Sequence, residues 1–246
     1  MLTVGIVQAR TDSARLHGKI LSPIIEGTSS LEVLWARIRQ VDIPWWLATT
    51  KRPEDDELSE KAALLGFQVL RGETEDVLSR YEAISEATGA NLIVKVNGDN
   101  PTTGAEAIRC LIAEASLIGL TEFMIADTGT SRRYPRGHVP QILDREALAS
   151  IRRRIPEGDN FHRTHVTSVL LEKKTKQTQI KLGPRAPHLR WTVDSVVDLQ
   201  TVRGLFRSLD VPFERATYRD FLKAASQDPV RNQRNQNERQ KAIEDG

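Results

Sequence analysis

The chain has 246 residues, of which 39% are hydrophobic, enough for the core of one α/β domain. Its 35 Lys and Arg nearly balance its 33 Asp and Glu, and a net charge of +2 argues against nucleic-acid binding driven by bulk charge. The single cysteine, Cys110, excludes an intramolecular disulfide, and the sequence predicts neither a secretion signal nor a membrane span. We therefore expect a cytoplasmic protein without nucleic-acid or membrane partners.

Short apolar runs alternate with helical patterns along the first half of the chain. Strands are predicted at residues 2–7, 45–48, 67–70, 92–96 and 123–126. Apolar residues at helical spacing lie between them, at residues 31–38, 58–65 and 77–84. This alternation predicts a single three-layer α/β/α domain with a mostly parallel mixed sheet.

The pattern is less regular in the second half. An irregular segment covers 128–141, helices are predicted at 144–154 and 161–171, and a strand is predicted at 189–193. Ser195 with Asp198, and Thr217 with Asp220, have the spacing of helix capping boxes. We predict one domain at 1–227, followed by a polar C-terminal tail at 228–246 with too few apolar residues to pack.

The segment that follows the first predicted strand carries three cations within ten residues. These are Arg10, Arg15 and Lys19, in the sequence QARTDSARLHGK at 8–19. Ligands of open α/β sheets bind beyond the carboxyl ends of the strands. Arginine and lysine side chains bind phosphate oxygens well, which favours a polyphosphate-binding loop. An ordinary basic surface loop would have the same composition, so both interpretations stay open. It matches neither a Walker A loop nor a GxGxxG fingerprint.

Two aspartates follow apolar runs that are predicted as strands. Asp99 lies in NGDNP at 97–101, where Gly98 would let the backbone approach a ligand, and Asp194 ends the run LRWTVD at 189–194. A lone aspartate in a loop is more often a turn former or a helix cap. Two carboxylates at neighbouring strand ends can instead share Mg²⁺, which needs few protein oxygens and leaves other positions to phosphate and water.

Basic side chains surround an aromatic ring in the irregular segment. Arg132, Arg133, Arg136 and His138 flank Tyr134. The cluster suits an anionic, hydroxylated small molecule, but an RNA-facing loop or a merely solvated surface would have the same composition.

Together these segments resemble the spore-coat polysaccharide biosynthesis protein F-like cytidylyltransferases. The resemblance extends more distantly to the 3-deoxy-manno-octulosonate and acylneuraminate cytidylyltransferases. The loop at 8–19 is similar to the family signature QARxGSTRLPGK. The other motifs follow in family order: TTKRPEDD at 49–56, RGETEDVLSRY at 71–81, NGDNP at 97–101, YPRG at 134–137, HVT at 165–167 and LRWTVD at 189–194.

The resemblance implies a nucleotide-diphosphosugar-transferase fold, CTP as the nucleotide, Mg²⁺ as the cofactor and a homodimer. An acceptor oxygen would attack the α-phosphorus of CTP in line, so that CMP is transferred and pyrophosphate is released, in surface polysaccharide or glycoconjugate biosynthesis. The implied catalytic residues are Arg10, Lys19 and Asp99, and the implied metal ligands are Asp99 and Asp194. The nucleotide-binding residues would be Arg10, Arg15, Lys19, Arg71, Gly72, Arg80 and Gly98. The acceptor-binding residues would be Tyr134, Arg136 and His165, and we add His138 from the same basic segment to this set.

The chain departs from the family pattern at four places, one of which is Asn100 in place of a common Cys. Asp12 replaces a usual Gly, His17 replaces a usual Pro, and two family acids that follow Gly137 are absent while His138 is present. The resulting excess of positive charge predicts a strongly anionic acceptor: a sugar acid, another sugar or a phosphonate.

Two other functions stay open at this point. A glycosyltransferase that uses a nucleotide-sugar could have a similar sheet, although its usual Asp-x-Asp motif is missing at Asp99. A non-catalytic nucleotide-binding protein is the other alternative, and the negative charge of Asp12 beside a phosphate loop favours it.

Overall fold

The computed structural model describes residues 1–13, 15–119, 122–156, 158–170, 175–236 and 238. The strands are β1 (Thr3–Gln8), β2 (Pro23–Ile25), β3 (Thr28–Ser29), β4 (Trp45–Thr50), β5 (Gln68–Gly72), β6 (Leu92–Asn97), β7 (Met124–Ala126), β8 (Gln141–Asp144) and β9 (Thr175–Gln177). The helices are α1 (Ser30–Ile38), α2 (Asp56–Leu65), α3 (Val77–Thr88), α4 (Ala105–Ile118), α5 (Arg145–Arg154), α6 (Asn160–Thr164), α7 (Val196–Arg207), α8 (Tyr218–Ser226) and α9 (Pro229–Arg234).

A seven-stranded sheet has the order β5-β4-β1-β6-β8-β7-β9. The pairs among β5, β4, β1 and β6 are parallel, whereas β8 is antiparallel to both of its neighbours. The carboxyl ends of β1, β4, β5 and β6 therefore share one edge of the sheet. The predicted mostly parallel mixed sheet is confirmed.

Each face of the sheet has its own apolar core. The first core contains Val7 of β1 and side chains of α1, α2, α4, α7 and α8, whereas the second contains Ile6 of β1 and side chains of α3 and α5. Alternate residues of β6 likewise divide between the cores, with Val94 and Val96 in the first and Ile93 in the second. The layers are therefore helices, sheet and helices.

The predicted strand at 189–193 is wrong. Its backbone N–H groups reach two different partners, since Trp191 N donates to Arg136 O at 2.8 Å and Val193 N donates to Asp99 O at 2.8 Å. Hydrogen bonds that change partner along the segment leave only an isolated bridge between Arg136 and Arg190. The apolar run is buried all the same, and its burial rather than strand pairing explains its composition.

The helix expected at 161–171 is also shorter than predicted. The structure has α6 followed by a 3-10 turn at Ser168–Leu170, and residue 171 lies outside the described residues. Both capping boxes, by contrast, are confirmed at the starts of α7 and α8.

The first part of the predicted polar tail is packed. α9 begins with Pro229 after the cap residue Asp228, and the side chains of Asn232 and Asn235 are buried. These residues are anchored by side-chain hydrogen bonds rather than by apolar area, and hydropathy therefore gave no signal of them. The tail prediction is wrong for residues 228–236, and most of the remaining residues lie outside the described ranges.

Candidate active site

The structure brings Lys19 together with both predicted metal-binding aspartates. The ammonium of Lys19 donates to Asp99 Oδ2 at 2.9 Å and to Asp194 Oδ1 at 2.8 Å. Asp99 lies two residues after β6, and Lys19 lies in the loop that follows β1, the strand beside it. Side chains 175 residues apart in sequence thus meet at the carboxyl edge of the sheet.

Asp194 is fixed by a network of buried hydrogen bonds. Arg190 Nη2 donates to Asp194 Oδ2 at 2.8 Å, while Arg190 Nε donates to Asp198 Oδ1 at 2.9 Å. Asn235 Nδ2 donates to the same Asp198 oxygen at 2.9 Å and to Arg190 O at 3.0 Å. Asn235, in the segment predicted to be a tail, therefore supports the arginine that orients Asp194.

The electrostatics of this cluster favour an ionised Asp194. Burial alone would raise the pKa of its carboxyl, but the ammonium of Lys19 and the guanidinium groups of Arg15 and Arg190 outweigh burial and lower the pKa to about 2. Arg15 Nη2 lies 3.1 Å from Asp194 Oδ1. Burial opposes the charge of Lys19 too, yet Asp99 and Asp194 raise its pKa above the usual value.

The phosphate-loop candidate is tied to the loop after β4. The buried carboxylate of Asp55 accepts from Thr11 N and Thr11 Oγ1, both at 2.7 Å, and from the hydroxyl of Thr50. Arg10 is exposed directly before this anchor. Asp12, the unusual acid of the loop, pairs with Arg52 at 2.6 Å and is therefore not an isolated negative charge.

Gly98 and Gly72 are positions of close packing within the protein. A Cβ on Gly98 would lie 2.7 Å from Ala9 Cβ and 2.9 Å from Ile20 Cδ1, and one on Gly72 would lie 2.5 Å from Arg80 Cγ. Both glycines thus leave space for side chains of the same chain to pack at the edge of the sheet. The sequence alone did not reveal this reason for glycine.

Arg71 and Arg80 are both held by backbone oxygens near this edge. Arg71 Nε donates to Thr50 O at 2.8 Å, and Arg71 Nη1 pairs with Asp56 at 2.6 Å. Arg80 is buried, with a bond of 3.3 Å from Nη1 to Ala48 O, and burial lowers the pKa of its guanidinium. Arg71 forms part of the edge beside Arg52, whereas Arg80 lies beneath it.

Tyr134 and His138 do not line an acceptor pocket, which corrects the prediction for both. Tyr134 is fully buried, and its hydroxyl donates to Ile180 O at 2.7 Å. The ring of His138 lies 5.3 Å from that of Trp191 and 5.1 Å from that of Tyr218, and burial lowers its pKa to about 3. An uncharged histidine inside an aromatic cluster is a core residue.

Arg136 and His165 are accessible to different degrees. Arg136 is half-buried, and its pKa is lowered to about 10 by burial first, then by repulsion from Arg132 and Arg190. Its backbone is bonded to residues 189 and 191, so it adjoins the segment that carries Asp194. His165 is exposed at the end of α6, with its ring 4.6 Å from that of Phe161.

No helix in the described part of the chain is long and apolar enough to cross a membrane.

The described residues contain no group of three or more His, Cys, Asp and Glu side chains that could hold a metal ion. The pair Asp99 and Asp194 is nevertheless a suitable donor set for Mg²⁺, which binds through one or two carboxylates together with substrate phosphates. Both carboxylates contact one ammonium group, and they therefore converge on a single point.

The chain is similar in sequence and fold to known cytidylyltransferases and their relatives. Residues 4–117 match the model of the cytidylyltransferase family. Spore coat polysaccharide biosynthesis protein SpsF of Bacillus subtilis (strain 168) is 29% identical over 216 residues, which cover 82% of this chain and 85% of that protein.

Two solved structures share the fold. A cytidylyltransferase from Leptospira borgpetersenii serovar Hardjo-bovis superimposes with a TM-score of 0.85 at 21% identity, covering 98% of this chain and 99% of that chain. A CMP:2-keto-3-deoxy-manno-octonic acid synthetase complexed with CTP has a TM-score of 0.61 at 17% identity, covering 84% of this chain and 99% of that chain.

The sheet, with cations and carboxylates at its carboxyl edge, defines an α/β protein that has the same fold as these cytidylyltransferase structures. Within that class the chain is related to the cytidylyltransferase family, and the resemblance to spore-coat protein F-like enzymes is confirmed by the family match and by SpsF.

Proposed function

We propose that this protein transfers CMP from CTP to a small anionic acceptor in a Mg²⁺-dependent reaction that releases pyrophosphate. The observation that carries the proposal is the convergence of Asp99 and Asp194 on Lys19, next to the basic loop after β1. The family match supports cytidine as the base. The relationship to SpsF supports a role in surface polysaccharide or glycoconjugate biosynthesis.

Asp99 and Asp194 would hold the Mg²⁺, which when bound neutralises phosphate charge. Arg190 keeps Asp194 in place through a bond of 2.8 Å, so the carboxylate is positioned before a ligand arrives. Preorganisation of this kind avoids the cost of reorienting charges during the reaction.

Lys19, Arg15 and Arg10 would bind the triphosphate. In the free protein Lys19 neutralises two carboxylates, and in the complex its ammonium would contact phosphate oxygens instead. The cations would then stabilise the charge that moves onto the pyrophosphate leaving group. Positioning and charge neutralisation supply the catalysis, and the protein has no need of a covalent intermediate.

A strongly anionic acceptor is supported by half-buried cations beside the site. Arg132 and Arg136 both have pKa values lowered by burial, and Arg136 is further repelled by Arg132 and Arg190. An anion bound there would relieve this repulsion. We also propose a cytoplasmic homodimer, the dimer being what the resemblance to the family implies. Light scattering on the purified protein measures the oligomeric state.

The experiment that tests the function uses CTP labelled at the α-phosphorus, Mg²⁺, inorganic pyrophosphatase and pairs of acceptors with and without an acidic group. We expect acceptor-dependent transfer of label with the acidic member of a pair, lower rates with UTP, and loss of transfer in Asp99→Asn. Label transfer to the neutral members at equal rates would overturn the anionic acceptor. If CTP neither binds to the protein nor reacts with any acceptor, the proposed cytidylyltransferase activity is overturned.

A further inference from the structure

Lys95 is a buried cation near the carboxyl end of β6. It is not one of the residues proposed above to bind the nucleotide or the metal ion. The residue is 9% exposed, and among the described residues its ammonium has one hydrogen-bond acceptor, Asn97 Oδ1 at 2.8 Å. A lysine ammonium carries three donors. A buried charge with two unused donors is costly unless a ligand completes its surroundings.

Arg37 shows how this chain buries a cation for structural purposes. It is 1% exposed, and its guanidinium donates to the backbone carbonyls of Thr102, Thr103, Phe213 and Ala216. Its carbon Cζ also lies 4.7 Å from the centre of the Phe221 ring. Lys95 has no such set of carbonyls in the described part of the chain, although burial lowers its pKa to about 8. Its surroundings therefore differ from those of a purely structural cation.

Lys95 approaches the active-site edge from the face opposite to the phosphate loop. It is in register with Ile6 of β1 and Gln141 of β8, so its side chain lies on the face of the second core. The loop after β1 is anchored on the other face, where Ile20 packs into the first core. Lys95 also senses the charge of Asp99, which favours its ionised form.

On the side of Lys95 towards the sheet edge and β8, its neighbours on this face are polar, although Ile6 and Ile93 are apolar. Gln8 and Asn97 are in register with each other, and Thr167 Oγ1 donates to Gln141 Oε1 at 3.0 Å. Asn97 is exposed, so the ammonium lies one side chain below the surface. An anion that replaced the Asn97 amide oxygen would contact the Lys95 ammonium directly.

We propose that Lys95 binds the acidic group of the acceptor, with Asn97, Gln141 and Gln8 as the polar groups around it. This inference rests on the proposed function. In-line displacement requires the attacking oxygen and the leaving pyrophosphate to lie on opposite sides of the α-phosphorus. Lys19 and the loop after β1 bind the leaving side, and a cation on the opposite face of the sheet is placed for the attacking molecule.

The test compares Lys95→Met, which removes the charge and keeps the length, with Lys95→Arg, which keeps the charge. Lys181→Met is the matched control, because Lys181 is exposed. The protein is labelled with ¹³C at lysine Cε, and the NMR signals of Lys95 and Lys19 are assigned by their loss in Lys95→Met and Lys19→Met. Inorganic phosphate and acetate are the probes, added to the full chain without nucleotide.

We expect saturable shifts of the Lys95 signal with both probes in wild type. With an acidic acceptor found in the panel above, Lys95→Met should raise its KM by about tenfold or more, as expected for loss of a charged hydrogen bond. The KM for CTP should stay unchanged, and Lys95→Arg should recover part of the loss.

Two results would overturn the inference. One is a Lys95 signal that stays fixed while the probes saturate the Lys19 signal. The other is a loss of CTP affinity in Lys95→Met as large as that in Lys19→Met, which would make Lys95 a nucleotide-binding residue. The NMR result does not depend on turnover, so an inactive wild type with a responsive Lys95 would contradict the proposed function and leave the anion site in place.

Discussion

Replacement of Asp194 by asparagine tests the centre of the site, because this carboxylate contacts Lys19, Arg15 and Arg190. Asp194→Asn removes one negative charge and keeps the size of the side chain. The backbone around it should persist, since Asp194 N donates to Asp198 Oδ2 at 3.0 Å and that bond does not involve the replaced group.

The expected loss of stability follows from the pKa of Asp194. Burial acts to raise the pKa, but the surrounding cations lower it from 3.8 to about 2. A shift of nearly two units corresponds to about 2 kcal/mol. Because the pKa is lower in the folded state, this stabilisation is present above the unfolded-state pKa near 4 and is lost as the pH falls through about 2.

Urea unfolding of wild type and Asp194→Asn measures this contribution. We expect the variant to be less stable by about 2 kcal/mol at pH 7, and by roughly half as much near pH 3, where the wild-type contribution has begun to fade. Asp210→Asn is the control, because Asp210 is exposed and its pair with Lys223 should contribute little. Transfer of CMP should fall by ~10²-fold or more in Asp194→Asn, as when a transition-state charge contact is removed. Unchanged stability at both pH values together with normal Mg²⁺-dependent turnover would refute the assignment.

Three further variants separate the roles of neighbouring groups. Lys19→Ala should weaken CTP far more than CMP in calorimetry, because its ammonium would bind the β- and γ-phosphates; equal losses for both nucleotides would place Lys19 elsewhere. Asp12→Asn should tighten CTP a few-fold at low salt and much less at high salt, since it removes one of the two acids that pair with the exposed Arg52 and leaves Glu54 as the other; an affinity equal to that of wild type at low salt would mean that Arg52 does not face the triphosphate. Asn235→Ala should cost about 1–3 kcal/mol of stability and also lower kcat, because it removes a support of Arg190 and Asp198. The control Asn232→Ala removes bonds to Ala225 O of α8 and to Asp228 O, and none to Arg190 or Asp198, so an equal fall in kcat there would rule out a specific role for Asn235.

The central parallel strands of the fold were predictable because their apolar runs are short and bounded by polar residues. β1 and β6 are buried along nearly their whole length, which produces that signal directly. β8 was missed because it has four residues and its last one, Asp144, also caps α5 by accepting from Ala147 N at 2.7 Å. A residue that both ends a strand and starts a helix has the sequence signature of the helix.

The site residues could be predicted from the sequence where ordered motifs identified them. They could not be predicted where the burial of a side chain determined its role. The meeting of Lys19, Asp99 and Asp194 follows from three segments at the ends of neighbouring structural elements. His138 was misplaced because a basic segment in a loop resembles a binding surface in composition, although tertiary packing turns this ring inward. Asn235 carried no signal, since an asparagine in a polar segment is ordinarily exposed.

The charges around Asp99 and Asp194 predict that the two carboxylates bind Mg²⁺ only when a polyphosphate is also bound. In the free protein the ammonium of Lys19 contacts both carboxylates, and Arg15 and Arg190 add positive charge beside Asp194. A Mg²⁺ ion alone would have to displace Lys19 from both carboxylates and would lie close to Arg15 and Arg190. A triphosphate changes this balance, because its oxygens accept Lys19 and Arg15 and leave the two carboxylates to the metal. Nucleotide and Mg²⁺ should therefore bind with positive coupling, and a Mg²⁺ affinity that calorimetry finds equal with and without CTP would contradict this account of Lys19.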